Sequence, residues 1–199
     1  MDKDKPTDGY KQLSPKGKQV VEMYITARQF KNAVLEEEMI ILPTKILNAK
    51  EGTTLQWGST KITLRGEKSI VRIYPFIVNK AFACEVYLKL ILAEDDFDFK
   101  SLKIHNILKL FKNTSEKFKR YFYEFFQTEY GEKADETFLK SEITKISNVF
   151  QEWRYIYERT NEENLVNYGF LNAFCDFLDK YSQQLISEQY SYDVSKNMR

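Results

Sequence analysis

Residues Ala81–Leu92, AFACEVYLKLIL, decide how this chain folds. As a helix the segment is apolar on almost every face, and a helix of that kind belongs in the middle of a bundle. Yet it carries Glu85 and Lys89, one turn apart and in the orientation that favours pairing on a helix. Val78, Phe82, Glu85, Lys89 and Leu92 share one stripe, so the charges fall between apolar neighbours. Ionised groups in such a place have to be paired or they change protonation state. Two readings stay open: a partly buried ion pair that fixes helix register, or the floor of a polar site.

Working outward, the spacing predicts helices on both sides. Pro75 opens the central helix, and Glu94-Asp95-Asp96-Phe97-Asp98 reads as the loop after it. A shorter helix begins at Ser101 or Lys103 and contains IHNILKLF, residues 104–111. Asn113-Thr114-Ser115 breaks the pattern, Glu116–Tyr130 resumes it, and Gly131 ends it as glycine commonly does. A long helix then starts at Asp135 or Thr137, with Ile143, Ile146, Val149, Phe150, Trp153 and Tyr157 at helical spacing. After Thr160-Asn161 the last helix covers about Asn164–Ser187, burying Phe170, Phe174, Phe177, Leu178, Tyr181 and Leu185. Toward the N-terminus, Ser14-Pro15 gives a cap and a first-turn proline. The helix that follows reaches about Met39, with Val20, Met23, Tyr24, Ala27, Phe30 and Val34 on one face, and Pro43 closes that region.

Residues 44–67 depart from this period. Thr53–Trp57 and Thr60–Leu64 alternate in polarity around Gly58-Ser59, a two-residue hairpin signature. The expectation is an all-α chain: a five- or six-helix bundle with a small β-hairpin near residues 53–64. Residues 1–13 form a flexible arm, 14–187 a single helical domain carrying the insertion, and 188–199 a loose tail.

Composition agrees with helices. Phe (15) and Tyr (13) are abundant while Gly (7) and Pro (4) are scarce, which disfavours a many-stranded fold. The net charge of +1 supplies no global field for nucleic acid or anionic membranes, so any such binding rests on a local patch. The two cysteines, Cys84 and Cys175, fall in apolar helical segments and read as buried reduced thiols, with a disulfide or metal site as the alternative. A single histidine, His105, and the lack of CxxC or HxxxH spacing speak against structural zinc. No metal and no cofactor are expected. The polar opening MDKDKPTDGYKQ has no apolar signal core, and no run reaches the ~18 apolar residues of a membrane span. The expected setting is soluble and cytoplasmic.

Beside Glu85 and Lys89, three constellations carry potential chemistry. His105 near a helix start is either a cap or a working imidazole, the usual acid–base group near neutral pH. In Phe150–Glu158, FQEWRYIYE, Arg154 and Glu158 lie four apart beside the core stripe. They form either an exposed intrahelical pair or, with Arg154 turned inward, a fork holding the Glu85 carboxylate. Lys100, Lys103, Lys109, Lys112, Lys117, Lys119 and Arg120 make a basic run followed by Tyr121, Phe122 and Tyr123. Such a mixture suits a phosphate backbone or single-stranded RNA, or simply a solvated helix face.

The order of these motifs resembles a family. A central A-x-E-x-x-L-K-x-x-L, a downstream H-x-[IL]-x-x-L-F and a late F-x-x-W-R-Y-x-Y-E are similar to bacterial HEPN-domain proteins, here on Ala81–Leu92, His105–Phe111 and Phe150–Glu158. The resemblance covers roughly residues 75–185 and implies an all-α bundle that forms a homodimer. It also implies a place in toxin–antitoxin or antiviral defence, as an RNase or as an inert or nucleotide-binding partner. The R-x(4–6)-H motif of the family's RNases is absent: Lys100 holds the arginine spacing before His105, and no histidine follows Arg154. The leading expectation is therefore a HEPN-like protein that binds a protein partner, a nucleotide or RNA without being a proficient nuclease. The residues assigned to binding are Glu85, Lys89, Glu158, Lys109 and Lys112. The alternatives are a metal-independent endoribonuclease with His105 and Arg154 as its catalytic pair, and a purely structural or immunity subunit.

Overall fold

The computed structural model describes residues 8–33, 41–42, 54–57, 60–63, 69–70, 73–95, 103–131, 134–150 and 167–194. Seven helices run through them: α1 (Asp8–Gln12), α2 (Pro15–Asn32), α3 (Ile73–Glu94), α4 (Ile107–Asn113), α5 (Glu116–Tyr130), α6 (Glu136–Ile146) and α7 (Tyr168–Tyr190). The fold is all-α in class. Between α2 and α3 lie two short antiparallel ladders: β1 (Ile41–Leu42) with β4 (Ser69–Ile70), and β2 (Thr54–Trp57) with β3 (Thr60–Thr63). The second pairs Trp57 with Thr60 and Thr54 with Thr63. No helix among the described residues is long and apolar enough to cross a membrane.

Helix α3 is the axis of the bundle and packs against α2, α4 and α7. Its apolar side chains are buried on every side: Ala81, Ala83, Cys84, Tyr87, Leu88, Leu90 and Leu92 have no exposed surface. Around it, the scarcity of glycine and proline lets apolar side chains recur every three or four residues, and each recurrence is spent on a neighbouring helix. On α5, Phe118, Phe122 and Phe126 repeat every fourth residue, facing Phe170, Phe174 and Phe177 of α7. Phe118 meets Tyr181 while Phe126 meets Phe170, so α5 and α7 run antiparallel. Off-parallel aromatic pairs of this kind contribute beyond their buried area, by about 0.5–1.5 kcal/mol each.

Local chemistry sets the helix boundaries. Ser14, Asn106, Ser115, Asp135 and Asn167 each accept, through the side chain, the amide of the residue three further on. Each such cap satisfies an otherwise orphaned donor and is worth about 1 kcal/mol. Gly131 closes α5 at φ +70°, a left-handed conformation that glycine adopts without strain.

Three boundaries differ from the expectations. Helix α4 begins at Ile107 instead of at Ser101 or Lys103, because the side chain of Asn106, in extended backbone, caps it; His105 stands just before the cap, outside the helix. The long helix expected from Asp135 through Tyr157 is interrupted at Ser147 and Asn148. There the Ser147 hydroxyl donates to the Ile143 carbonyl, and the Ser147 carbonyl accepts the Ile107 amide at 3.1 Å. The last helix starts at Tyr168 and runs to Tyr190, past the expected Ser187. The expected continuation of α2 to Met39 falls on residues outside those described, as do Trp153 and Tyr157.

The two ends of the described chain meet. Within the stretch read as an arm, α1 sets Gly9 against the Tyr192 ring, and the Tyr10 hydroxyl donates to Glu22 at 2.6 Å. Within the stretch read as a tail, Tyr192 and Val194 are buried. Tyr190 donates to Glu94 at 2.6 Å, and its ring covers Gly17 so closely that a Cβ there would lie 2.9 Å from two ring carbons.

Candidate functional site

Glu85 is 1% exposed, inside the apolar belt of α3. Its Oε1 accepts the Lys89 ammonium at 2.7 Å and the His105 Nδ1 at 2.9 Å. A carboxylate offers only lone pairs, so the hydrogen-bond pattern assigns a proton to Nδ1. Oε2 of Glu85 has no hydrogen-bond partner among the described residues. The Lys89 side chain is 14% exposed, that of His105 48%. The cluster is thus a buried anion carrying two cationic or proton-bearing groups toward the surface, one of them a half-exposed imidazole.

Contacts on the two residues after His105 fix the backbone beside that imidazole. The Asn106 Oδ1 caps α4 through the Lys109 amide, and its Nδ2 donates to Asn148 Oδ1 at 2.7 Å. The Ile107 amide is in turn bound to the Ser147 carbonyl. The break after α6 therefore serves the site: it supplies the two acceptors that pin the approach to α4.

The other expected residues are not gathered here. Lys109 and Lys112 lie exposed on α4, and Lys103, Lys117 and Arg120 are exposed on the segments beside it, while Lys119 pairs with Glu116 at 2.8 Å. The basic run is spread over these surfaces. Arg154, Glu158 and Lys100 lie outside the described residues. Among those described, no group of three or more His, Cys, Asp or Glu side chains could hold a metal ion. Cys84 and Cys175 are free, buried thiols; burial pushes the Cys84 thiol up, and neighbouring Cys175 adds to it.

Sequence reasoning missed a second polar cluster. Asp179 of α7, 6% exposed, accepts the hydroxyls of Tyr24 (2.8 Å) and Tyr87 (3.0 Å) on Oδ1 and the Lys31 ammonium (2.7 Å) on Oδ2. Lys31 also reaches Asp176 at 2.7 Å, and Gln183 donates to the Tyr24 oxygen at 2.7 Å. Burial works against the Asp179 charge, yet Lys31 and the two tyrosines outweigh it and hold the carboxyl below its usual range. Burial likewise opposes the Lys31 charge, and Asp176 and Asp179 outweigh it, raising the ammonium above its ordinary value. Burial and then the Asp179 charge push both tyrosine hydroxyls up. The one available signal was an Asp on the edge of an aromatic stripe; its partners lie up to 155 residues away in the chain.

Compared with models of protein families, with curated proteins and with solved structures, the chain matches none.

Proposed function

We propose that this is a HEPN-like helical-bundle protein that binds RNA or a nucleotide at the Glu85–Lys89–His105 cluster, without being a proficient nuclease. The observation that carries the reading is the shared carboxylate: Glu85 Oε1 holds Lys89 and half-exposed His105 side by side. An ammonium has three donors, and Glu85 takes one. Two N–H groups of Lys89 and the free side of the imidazole therefore suit a phosphate group, with Glu85 fixing their direction. Exposed Lys109 and Lys112 on α4 add charge for neighbouring phosphates of a longer strand. A homodimer formed near the cluster and a role in defence or toxin–antitoxin pairing are what the family resemblance implies, and with a cytoplasmic location they belong to the same proposal.

One feature favours a second reading, a metal-independent endoribonuclease. A buried carboxylate on Nδ1 is the arrangement that orients a histidine so that Nε2 works as a general base. Arg154, the expected partner in charge stabilisation, lies outside the described residues.

Both readings meet one experiment. Labelled single-stranded RNA is titrated by fluorescence anisotropy with wild type, Lys89→Met and His105→Ala, and the same samples, in chelator, are run on denaturing gels. Binding that weakens about tenfold or more in both variants, with the RNA intact, is the expected result, a loss of about 1.4 kcal/mol. Cleavage by wild type that disappears in His105→Ala replaces it with the nuclease reading. Equal affinity in all three proteins, or no binding at low salt, overturns the proposal.

A further inference from the structure

A second site of different chemistry lies away from His105, between the outer faces of α5 and α7. An open groove of about 340 Å³ runs there, walled by Tyr121 and Phe125 of α5 and by Phe177 and Tyr181 of α7. The four rings form a chain of contacts: Tyr121 meets Tyr181 edge to face at 6.1 Å, Tyr181 stacks on Phe177 at 6.1 Å, and Phe177 is tilted against Phe125 at 5.1 Å. Tyr121 is 42% exposed, high for an aromatic side chain, and so offers ring surface to solvent. Glu124 and Glu129 line the same groove, and Glu188 lines its continuation beyond Tyr181. These three carboxylates face two ammonium groups, Lys180 and Lys117.

We propose that this groove is a binding site for a small organic ammonium ion. Ring faces carry negative quadrupole potential and attract cations that shed water easily, quaternary ammonium ions above all. The groove already practises this chemistry on its own chain, since the Lys180 ammonium sits 6.0 Å above the centre of the Phe125 ring. The acidic majority on the rim completes the selection: it favours a cation over a neutral body of the same shape and disfavours the phosphate that suits the His105 cluster. Burial pushes the Tyr181 hydroxyl up, and the nearby charges of Asp95 and Glu188 add to it. A volume of this size is at the lower end of small-molecule sites, about 300–1,000 Å³. The inference stands apart from the proposed RNA or nucleotide binding, with which it shares no residue.

Choline and its neutral isostere 3,3-dimethylbutan-1-ol separate charge from shape. Each is titrated into protein carrying labelled Phe and Tyr rings, and the ring signals are followed by NMR in wild type, Tyr121→Ala and Glu124→Gln. The expected result is that choline shifts the groove rings and binds about tenfold more tightly than the alcohol, with affinity falling at least about threefold in each variant. Both positions are exposed, and circular dichroism checks that the variants remain folded. Equal binding of the isostere, indifference to Tyr121→Ala in the folded variant, or no ring shifts at millimolar choline overturns the proposal.

Discussion

Two buried carboxylates, Glu85 and Asp179, sit on neighbouring helices of one bundle and are paired in opposite ways. Asp179 has both oxygens engaged, by two tyrosines and a lysine drawn from α2 and α3, and its partners are themselves tied to Gln183 and Asp176. Glu85 concentrates its bonds on one oxygen, leaves the other without a partner among the described residues, and presents a half-exposed imidazole. Burial alone therefore does not tell a saturated charge from one with pairing capacity left. What separates them is saturation: a cluster whose groups are all used between helices holds helices together, whereas one that ends in a half-exposed imidazole is where the proposed ligand would have to bind.

The comparison breaks most clearly at Asp179. Asp179→Ala strips the acceptor from Tyr24, Tyr87 and Lys31 at once. Lys31 keeps Asp176, but leaving the two buried tyrosine hydroxyls without this acceptor costs about 1–3 kcal/mol each, read as a lowered midpoint in urea unfolding. The same residue sets an acid limit. Its folded pKa lies below the unfolded value of about 3.9, so its stabilisation is complete above that value and is lost as pH falls through the folded pKa. Unfolding followed downward from pH 5 shows that loss in wild type, and Asp179→Asn flattens it.

Glu85→Gln is the matched change on the other side. It keeps the shape but removes the charge that holds Lys89 and His105, at a cost of about 1–3 kcal/mol, together with loss of RNA binding in the anisotropy titration. A loss of stability equal to that of Asp179→Ala with binding unchanged would put Glu85 in the structural class. Gly17→Ala probes packing without charge: the added methyl meets the Tyr190 ring at 2.9 Å and lowers stability by about 1–3 kcal/mol, measured by thermal unfolding. The smallest effect on stability belongs to His105→Ala, below about 1 kcal/mol because its bond to Glu85 is half exposed. That variant sharpens the contrast, since it leaves the fold in place and removes the proposed contact with phosphate.

The parts of this architecture visible in the sequence are those written locally. The oily AFACEVYLKLIL segment announced a central helix, and Glu85 and Lys89, one turn apart, announced their own pairing. Ser14, Asp135 and Gly131 marked helix ends through chemistry confined to a few residues. His105 was found as a residue type, but not its position outside the helix, because the Asn106 cap competed with an unbroken apolar pattern from 104 to 111. The interruption at Ser147 was hidden for a related reason: the hydrophobic period continues across it, and the acceptor role of its carbonyl is created by a segment forty residues earlier. The Asp179 cluster was illegible because no short spacing encodes it. Its members lie on three helices and become neighbours only when those helices pack.

The covering of Gly17 by Tyr190 has a consequence for how the chain is made. Residues near the start of the described fold receive their closing contacts from residues near its end, and α2 cannot complete its polar interior before α7 is present. During synthesis the earlier helices therefore leave the ribosome with Tyr24 and Lys31 awaiting partners translated some 150 residues later. Contacts of such long sequence separation slow folding and prolong the exposure of apolar surface. The nascent chain is most in need of chaperone protection in the interval before its last helix emerges.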